Sequence, residues 1–350
     1  MSLLSRRSRG VRVFLLLTAA FGLAGWVRTV AAAGAPAPGT EQVVVYSARI
    51  EQLIKPMFDA FTRDTGIAVK FVTDKEGALL ARLQAEGKNT PADMLITADA
   101  GNLWEAARAG LLKPVVSKTL EANIPAHLRD PHQQWFGLSV RARTIVYNTQ
   151  KVKPADLSTY EDLASPKWKG RLCLRTSKKV YNQSLVAMMI AEHGEAKTEQ
   201  IVKNWVANLA TDPLSDDTRA MESVAAGQCD VTLVNTYYYG RLMEKNPKLP
   251  LAIFWPNQAR GGVHVNVSGA GITRAARNEP AAIKLLEFLS SEKAQNLFAD
   301  VNLEYPANPK IKPDPVVAAW GSFKQNPVNL AKAGELQAAA VKLMDRAGYR

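Results

Sequence analysis

The sequence predicts a two-lobed α/β protein, and three observations support this prediction. Strand and helix patterns alternate along the chain. Two long extended runs, at residues 135–148 and 263–272, interrupt the alternation and suit crossovers between lobes. A chain of 350 residues is also longer than one small hydrophobic core usually organises. These features together predict a hinged binding protein with its ligand in the cleft between the lobes.

The first part of the chain has a regular strand–helix order. Leu53, Met57 and Phe58 recur at helix spacing, and Gly66 ends that helix. This order predicts a mostly parallel sheet, in which binding residues gather at the carboxyl ends of the strands. The predicted strands are 43–47, 67–72 and 92–97, and two further helices follow the second and third of them.

The remaining elements complete the predicted domain organisation. Predicted strands lie at 171–174 and 231–234, and predicted helices at 184–193, 201–209, 218–226, 281–289, 294–298 and about 330–347. With the crossovers, this order predicts an N-terminal lobe of residues 41–140 plus about 266–310 and a C-terminal lobe of residues 141–265. Residues 311–350 are expected to pack on the lobes as a helical segment.

The start of the chain has the features of a secretory signal peptide. Four arginines between Arg6 and Arg12 precede an apolar stretch at 13–26, and small residues follow up to Ala33. The apolar stretch is shorter than the roughly 20 residues that span a bilayer. Residues 1–33 are therefore expected to direct export, through either the general or the twin-arginine route.

Charge and motif content argue against several functional classes. The formal net charge of +12 falls to +7 without the five arginines of residues 1–33, and the remaining Lys and Arg are scattered, so nucleic-acid binding is not expected. The sequence has no G-x-S-x-G elbow, no zinc-binding spacing and no clustered histidines, so we expect no enzyme activity. Cys173 and Cys229 could form one disulfide or remain two buried thiols.

Three of the nine tyrosines stand together as Tyr237, Tyr238 and Tyr239, directly after the apolar run 231–234. By itself this group could be an aromatic packing cluster or a ligand site rich in oxygen donors. Neighbouring strand residues point to opposite faces. Two adjacent tyrosines could therefore reach one target only if the backbone turns or begins a helix there.

Several segments, in the same order, resemble the periplasmic ferric-iron-binding proteins of bacterial ABC transporters. The main ones are residues 181–187 (YNQSLVA) and 235–238 (NTYY). The others are YSAR at 46–49, PAD at 91–93, DAGNL at 99–103, GLSVRAR at 137–143, AGQCD at 226–230 and EYP at 304–306. The resemblance covers nearly the whole chain after the signal peptide and implies the two-lobed periplasmic-binding-protein fold with two hinge crossover strands.

The resemblance implies an iron site built from tyrosine phenolates. Position by position, Tyr237 and Tyr238 match the family's adjacent pair, and Tyr181 matches a third tyrosine. Fe³⁺ is a hard cation that prefers anionic oxygen ligands. Because a free phenol has a pKa of about 10, the metal itself must stabilise the phenolate. Tyr239 is expected to be a neighbouring or packing residue.

The chain departs from some relatives at two positions. Where those relatives have a histidine or a His-Tyr pair, this chain has Ile50 and Glu51, and where others have a glutamate it has Ala98. A bound anion such as carbonate, or water, is therefore expected to complete the iron shell, with Arg49 and Arg141 the best candidates to hold the anion.

Three of these candidate residues have alternative roles. Arg49 could form a salt bridge between lobes, and Arg141 could be a surface charge on the crossover strand. Asp99 could approach the metal, or it could cap the helix near Asn102.

The resemblance also implies the biological setting. The protein is expected to be a periplasmic, monomeric receptor that delivers Fe³⁺ to a membrane permease and its ATPase. Alternatives with the same fold are a receptor for another small ligand, such as phosphate, thiamine or a polyamine, and a periplasmic sensor subunit.

Overall fold

The structure is a computed structural model, and it describes residues 41–350. The predicted signal peptide at residues 1–33 lies outside the described residues. Within the described part of the chain, no helix is long and apolar enough to cross a membrane.

Strands and helices alternate through much of the described chain. The strands are β1 Gln42–Ser47, β2 Ala68–Thr73, β3 Met94–Thr97, β4 Phe136–Asn148, β5 Leu172–Cys173, β6 Val231–Asn235, β7 Leu251–Phe254, β8 Val265–Ile272 and β9 Tyr305–Pro306. The helices are α1 Glu51–Thr65, α2 Glu76–Glu86, α3 Ala100–Arg108, α4 Lys118–Asn123, α5 Val180–His193, α6 Glu195–Ala207, α7 Asp217–Ala225, α8 Thr236–Lys245, α9 Glu279–Leu289, α10 Glu292–Asn302, α11 Pro315–Ala318, α12 Ala331–Glu335 and α13 Gln337–Arg346.

The strands hydrogen-bond in the order β2-β1-β3-β8-β4-β6-β5, and β7 and β9 also pair with β4. β1 is parallel to β2 and β3, and β5 is parallel to β6. Every pairing of β4 and β8 is antiparallel, because these two strands carry the chain out and back. The prediction of a mostly parallel sheet is therefore right for β1–β3 and wrong for the centre.

β4 links the two halves of this arrangement. All 13 of its residues are buried. Its first part, Phe136–Ala142, pairs with β8, and its second part, Arg143–Tyr147, pairs with β6. The strand thus changes its hydrogen-bonding partner at Arg143, while β8 returns the chain beside β3. The predicted two-lobed fold with two crossover strands is confirmed, and the lobe limits given above stay a prediction.

Separate apolar clusters support the two halves. The first contains Phe58 and Phe61 of α1, which lie on the same face as Ile54 and Met57. The second is built around Trp168 and Trp205. Gly66 adopts φ +73°, a left-handed conformation that glycine accepts without strain, and its N–H donates to the Thr62 carbonyl to end α1.

Residues 331–346 form two helices, so the prediction of one helix over 330–347 is wrong. The helical path breaks at Leu336, which allows α12 to pack on both α3 and α5 while α13 packs on α5 and α6. Gly334 of α12 lies so close to Trp104 that a Cβ there would be 2.6 Å from the tryptophan side chain. This contact favours glycine over any larger residue.

Cys173 of β5 and Cys229, just before β6, form a disulfide. The sequence left open a disulfide or two buried thiols, and the structure has the disulfide. The bond encloses a loop with a sequence separation of 56 residues and joins the end of β5 to the segment just before β6, with which β5 pairs in parallel.

Replacing both cysteines by alanine should lower the free energy of unfolding. In the chain-entropy account, a loop of this length contributes about 4 kcal/mol, because the bond restricts the unfolded chain. Urea unfolding of the wild type, with and without reductant, measures the effect. The double variant is the matched control and should be insensitive to reductant. A wild type whose unfolding curve is unchanged by reductant would contradict the prediction.

Candidate functional site

The three adjacent tyrosines lie in the first turn of α8, which begins at Thr236 immediately after β6. Helical geometry turns successive side chains by about 100°, so neighbours need not point to opposite faces as they would on a strand. The rings of Tyr237 and Tyr238 pack together with their centroids 4.4 Å apart. The sequence required a turn or a helix start here if two adjacent tyrosines were to reach one target, and the structure has a helix start.

Tyr181 lies in the first turn of α5, which begins at Val180, four residues before its predicted start. The hydroxyl of Tyr237 donates a hydrogen bond to the hydroxyl of Tyr181 at 3.2 Å. Residues 56 positions apart are thereby joined through their phenol oxygens. Each of these tyrosines stands in the first turn of its helix, and helix N-termini favour negative charge.

Cationic side chains surround the phenol rings. Arg141, Arg175 and Lys179 lie over the Tyr181 ring, with 5.7, 5.4 and 4.9 Å between charge and ring centroid. Arg241 lies 5.1 Å from the Tyr237 ring centroid. Nearby positive charge favours an ionised phenol over a neutral one.

Burial acts against this ionisation. It raises the pKa of Tyr181, although Arg141 acts in the opposite direction. The pKa of Tyr237 is raised further by burial and by the neighbouring phenols Tyr181 and Tyr238. Both phenols are therefore neutral at pH 7 unless a cation joins them.

Tyr239 makes its contacts with residues outside the tyrosine group. Its hydroxyl donates to the Leu251 carbonyl at 3.4 Å, and its ring packs edge-on against Trp320. These contacts are those of a packing residue.

Arg49 and Arg141 belong to one buried cluster centred on Glu304. Arg49 donates to the Glu304 carboxylate at 3.1 Å, and Ser139 donates to the same oxygen at 2.6 Å. Arg141 lies 4.0 Å from the other carboxylate oxygen and donates to Ser268 at 3.0 Å. Arg49 thus forms a salt bridge, but with a residue of the same predicted lobe rather than between lobes as predicted. Arg141 is only 3% exposed, so its alternative as a surface charge is wrong.

A family model described as bacterial extracellular solute-binding protein matches residues 89–319. The chain belongs to this family. Iron uptake protein A1 of Synechocystis is 44% identical over 90% of this chain and 90% of its own length. A structure of Trichodesmium FutA with iron and citrate has a TM-score of 0.85 at 43% identity, covering 88% of this chain and all of that one. The ferric iron-binding protein A of Mannheimia haemolytica, in an open conformation, has a TM-score of 0.83 at 39% identity, covering 89% and 99% of the two chains.

In this solute-binding protein, Asp99 caps α3, as one of its predicted roles required. One carboxylate oxygen accepts from the backbone N–H groups of Gly101 and Asn102 at 2.7 and 3.4 Å. The other oxygen accepts from Asn266 of β8 at 2.7 Å and from Ser184 of α5 at 3.2 Å. Asp99 therefore also ties α3 to the helix that carries Tyr181.

His264 is a site residue that the sequence did not single out. A narrow gap, too small for a water molecule, is lined by Arg141, Arg143, Tyr181, Asn235, His264 and Asn266. Burial and the two arginines lower the pKa of His264 to about 3, so the imidazole is neutral. The sequence could have indicated His264 only through its position in the second extended run, two residues before Asn266.

Across residues 41–350, no three His, Cys, Asp or Glu side chains form a group that could hold a metal ion.

Glu304 should stabilise this solute-binding protein in a pH-dependent way. Burial alone would raise its pKa, but Arg49 and Arg141 outweigh burial and lower it below 4.5. The carboxylate then contributes stability above pH 4.5, and that stability is lost as pH falls through the folded-state pKa.

Glu304→Gln should therefore destabilise the protein by about 3–5 kcal/mol at pH 7, because it leaves buried guanidinium charge unpaired. The difference from wild type should shrink below pH 4.5, and urea unfolding at several pH values measures it. Glu105→Gln is the matched control, since Glu105 pairs with Arg108 at the surface and should matter by less than about 1 kcal/mol. A Glu304→Gln effect as small as the control would refute the prediction.

Proposed function

We propose that this solute-binding protein captures Fe³⁺ through the phenolates of Tyr181, Tyr237 and Tyr238. The observation that carries the proposal is the 3.2 Å contact between the Tyr181 and Tyr237 hydroxyls, with Tyr238 packed on Tyr237. Two phenol oxygens this close cannot both ionise unless a cation lies between them. A trivalent ion supplies that charge and is itself best matched by anionic oxygen.

The names of the relatives support iron as the cargo. Proteins similar over about 90% of this chain are called iron uptake proteins, and a neighbouring structure contains iron and citrate. Receptors for phosphate, thiamine or a polyamine would have no need for three phenols at one point. The tyrosine cluster therefore favours iron over the other ligands that the fold could accept.

A small oxyanion such as carbonate is proposed to complete the iron shell. Of the two arginines predicted to hold it, Arg141 is the better placed, because its guanidinium lies over the Tyr181 ring, 5.7 Å from the centroid. Arg49 pairs directly with Glu304 and so contributes by fixing the cluster that holds Arg141. A guanidinium fork suits a planar oxyanion geometrically.

The proposed setting is the periplasm, reached through the signal peptide at residues 1–33. The protein would act as a monomeric, non-enzymatic receptor that hands iron to a membrane permease driven by an ATPase. β4 and β8 would serve as the hinge, and bound iron would favour the closed arrangement of the lobes.

Purified protein given ferric iron should turn red-orange through phenolate-to-iron charge transfer. Tyr181→Phe and Tyr238→Phe should each bleach or shift that absorption band, because each removes one phenolate. Tyr239→Phe is the matched control and should leave the band unchanged, since Tyr239 bonds to the Leu251 carbonyl. A colourless wild type, or full colour in both site variants, would refute the proposed ligands.

Iron binding should release about three protons and weaken as pH falls, because protons compete with the metal for the three phenolates. The raised pKa values of Tyr181 and Tyr237 extend this competition through neutral pH. Competition titrations against a chelator of known pH dependence, from about pH 6 to 8, measure the slope. An affinity independent of pH over this range would contradict phenol ligation.

A further inference from the structure

Arg143 occupies the position at which β4 changes partner. Its N–H donates to the His264 carbonyl at 2.9 Å, and its own carbonyl accepts a hydrogen bond from the Tyr160 hydroxyl. The β4–β6 register places Arg143 directly opposite Asn235. The backbone of Arg143 is therefore fixed by contacts on both sides, and its side chain is 1% exposed.

The guanidinium of Arg143 contacts the starts of both tyrosine-bearing helices. One terminal nitrogen, Nη2, donates to Asn182 Oδ1 at 2.7 Å. The other, Nη1, donates to Asn235 Oδ1 at 3.2 Å. Asn182 directly follows Tyr181 in α5, and Asn235 is the residue before the first residue of α8. One rigid planar group thus spans the two segments whose tyrosines meet.

A buried carboxylate fixes this guanidinium in place. Asp217, the first residue of α7, accepts from Arg143 Nη1 at 2.7 Å and from the Asn235 N–H at 2.9 Å. Arg175 lies 3.5 Å from its other oxygen. Asp217 is fully buried, and the two arginines are its charge partners.

The far side of Asn182 is held as well. Its amide nitrogen donates to the carbonyls of Arg175 and Thr176 at 3.0 and 3.1 Å and to the Tyr349 hydroxyl at 2.9 Å. Movement of Arg143 would therefore be transmitted to the first turn of α5 rather than absorbed by a free side chain.

We propose that Arg143 is a positioning residue, whose guanidinium sets the distance between Tyr181 and the Tyr237–Tyr238 pair. The inference rests on the proposed function, since it assigns Arg143 a role in the geometry of the same iron site. Arg143 acts through Asn182 and Asn235 and does not itself bind the metal. Groups that orient metal ligands typically affect metal affinity by about 10- to 100-fold when removed.

The test compares Arg143→Gln, Arg143→Lys and Asn235→Ala with wild type. Ferric affinity is measured by chelator competition, and the charge-transfer band is recorded at iron saturation. Circular dichroism and thermal unfolding report folding. The band at saturation is the informative readout, because a loss of global stability alone does not alter the ligand geometry of the iron-loaded protein.

Arg143→Gln should weaken ferric binding about 10- to 100-fold and shift the band. Arg143→Lys keeps the charge but not the two-armed fork, so it should lie between Gln and wild type. Asn235→Ala should cause a smaller change of the same kind. The double variant Arg143→Gln/Asn235→Ala should bind no worse than Arg143→Gln alone, because both changes remove one shared contact.

Arg171→Gln is the matched control. Arg171 also pairs with an aspartate, Asp230, but makes no contact with the tyrosine segments and is partly exposed. Its affinity and band should equal those of wild type.

A folded Arg143→Gln with wild-type affinity and band overturns the inference, as do additive effects in the double variant. If Arg143→Gln does not fold, the Asn235→Ala variant provides the test. An unchanged charge-transfer band in that variant also overturns the inference. If the wild type is coloured and the variants have wild-type affinity and band, only the role of Arg143 is refuted. A colourless wild type refutes the proposed function itself.

Discussion

The close approach of buried phenol oxygens is the constraint on which the rest of the site depends. Tyr181 and Tyr237 share a hydrogen bond, and burial raises both of their pKa values. Two phenolates at this distance would repel each other in a medium that screens charge poorly. The arrangement therefore suits a cation of high charge, because such a cation would attract both phenolates and offset the repulsion between them.

Positive charge around the phenols reduces the free energy needed to ionise them, but a metal ion is still needed for ionisation at neutral pH. Two of the arginines over the Tyr181 ring also lie near buried carboxylates. Arg141 lies 4.0 Å from Glu304, and Arg175 lies 3.5 Å from Asp217, which also pairs with Arg143. Each buried carboxylate thus keeps a guanidinium oriented beside the site, and removing either partner would leave a buried charge unpaired.

Strand β4 brings these groups together. Ser139, Arg141 and Arg143 alternate with Leu138, Val140 and Ala142, so the polar side chains share one face of a fully buried strand. Ser139 contacts Glu304, Arg141 lies beside the Tyr181 ring, and Arg143 contacts the two helix starts. The same strand passes from one half of the protein to the other, so any hinge motion would act directly on the residues that surround the tyrosines.

The sequence predicted the two-lobed fold, the crossovers and the tyrosine group, because strand–helix alternation and local motifs determine them. The meeting of Tyr181 with Tyr237 could be inferred only from the family resemblance, since 56 residues separate them and no local rule brings them together. The roles of Glu304 and His264 were missed for a similar reason: each depends on long-range neighbours. The single C-terminal helix was mispredicted because packing on α3 and α5 overrides the local helical preference at Leu336.

An anomalous-difference map at the iron absorption edge, from crystals of the iron-loaded protein, tests the central claim most directly. The account predicts one strong peak within coordination distance of the phenol oxygens of Tyr181, Tyr237 and Tyr238. A peak elsewhere, or one that contacts none of these oxygens, would contradict it.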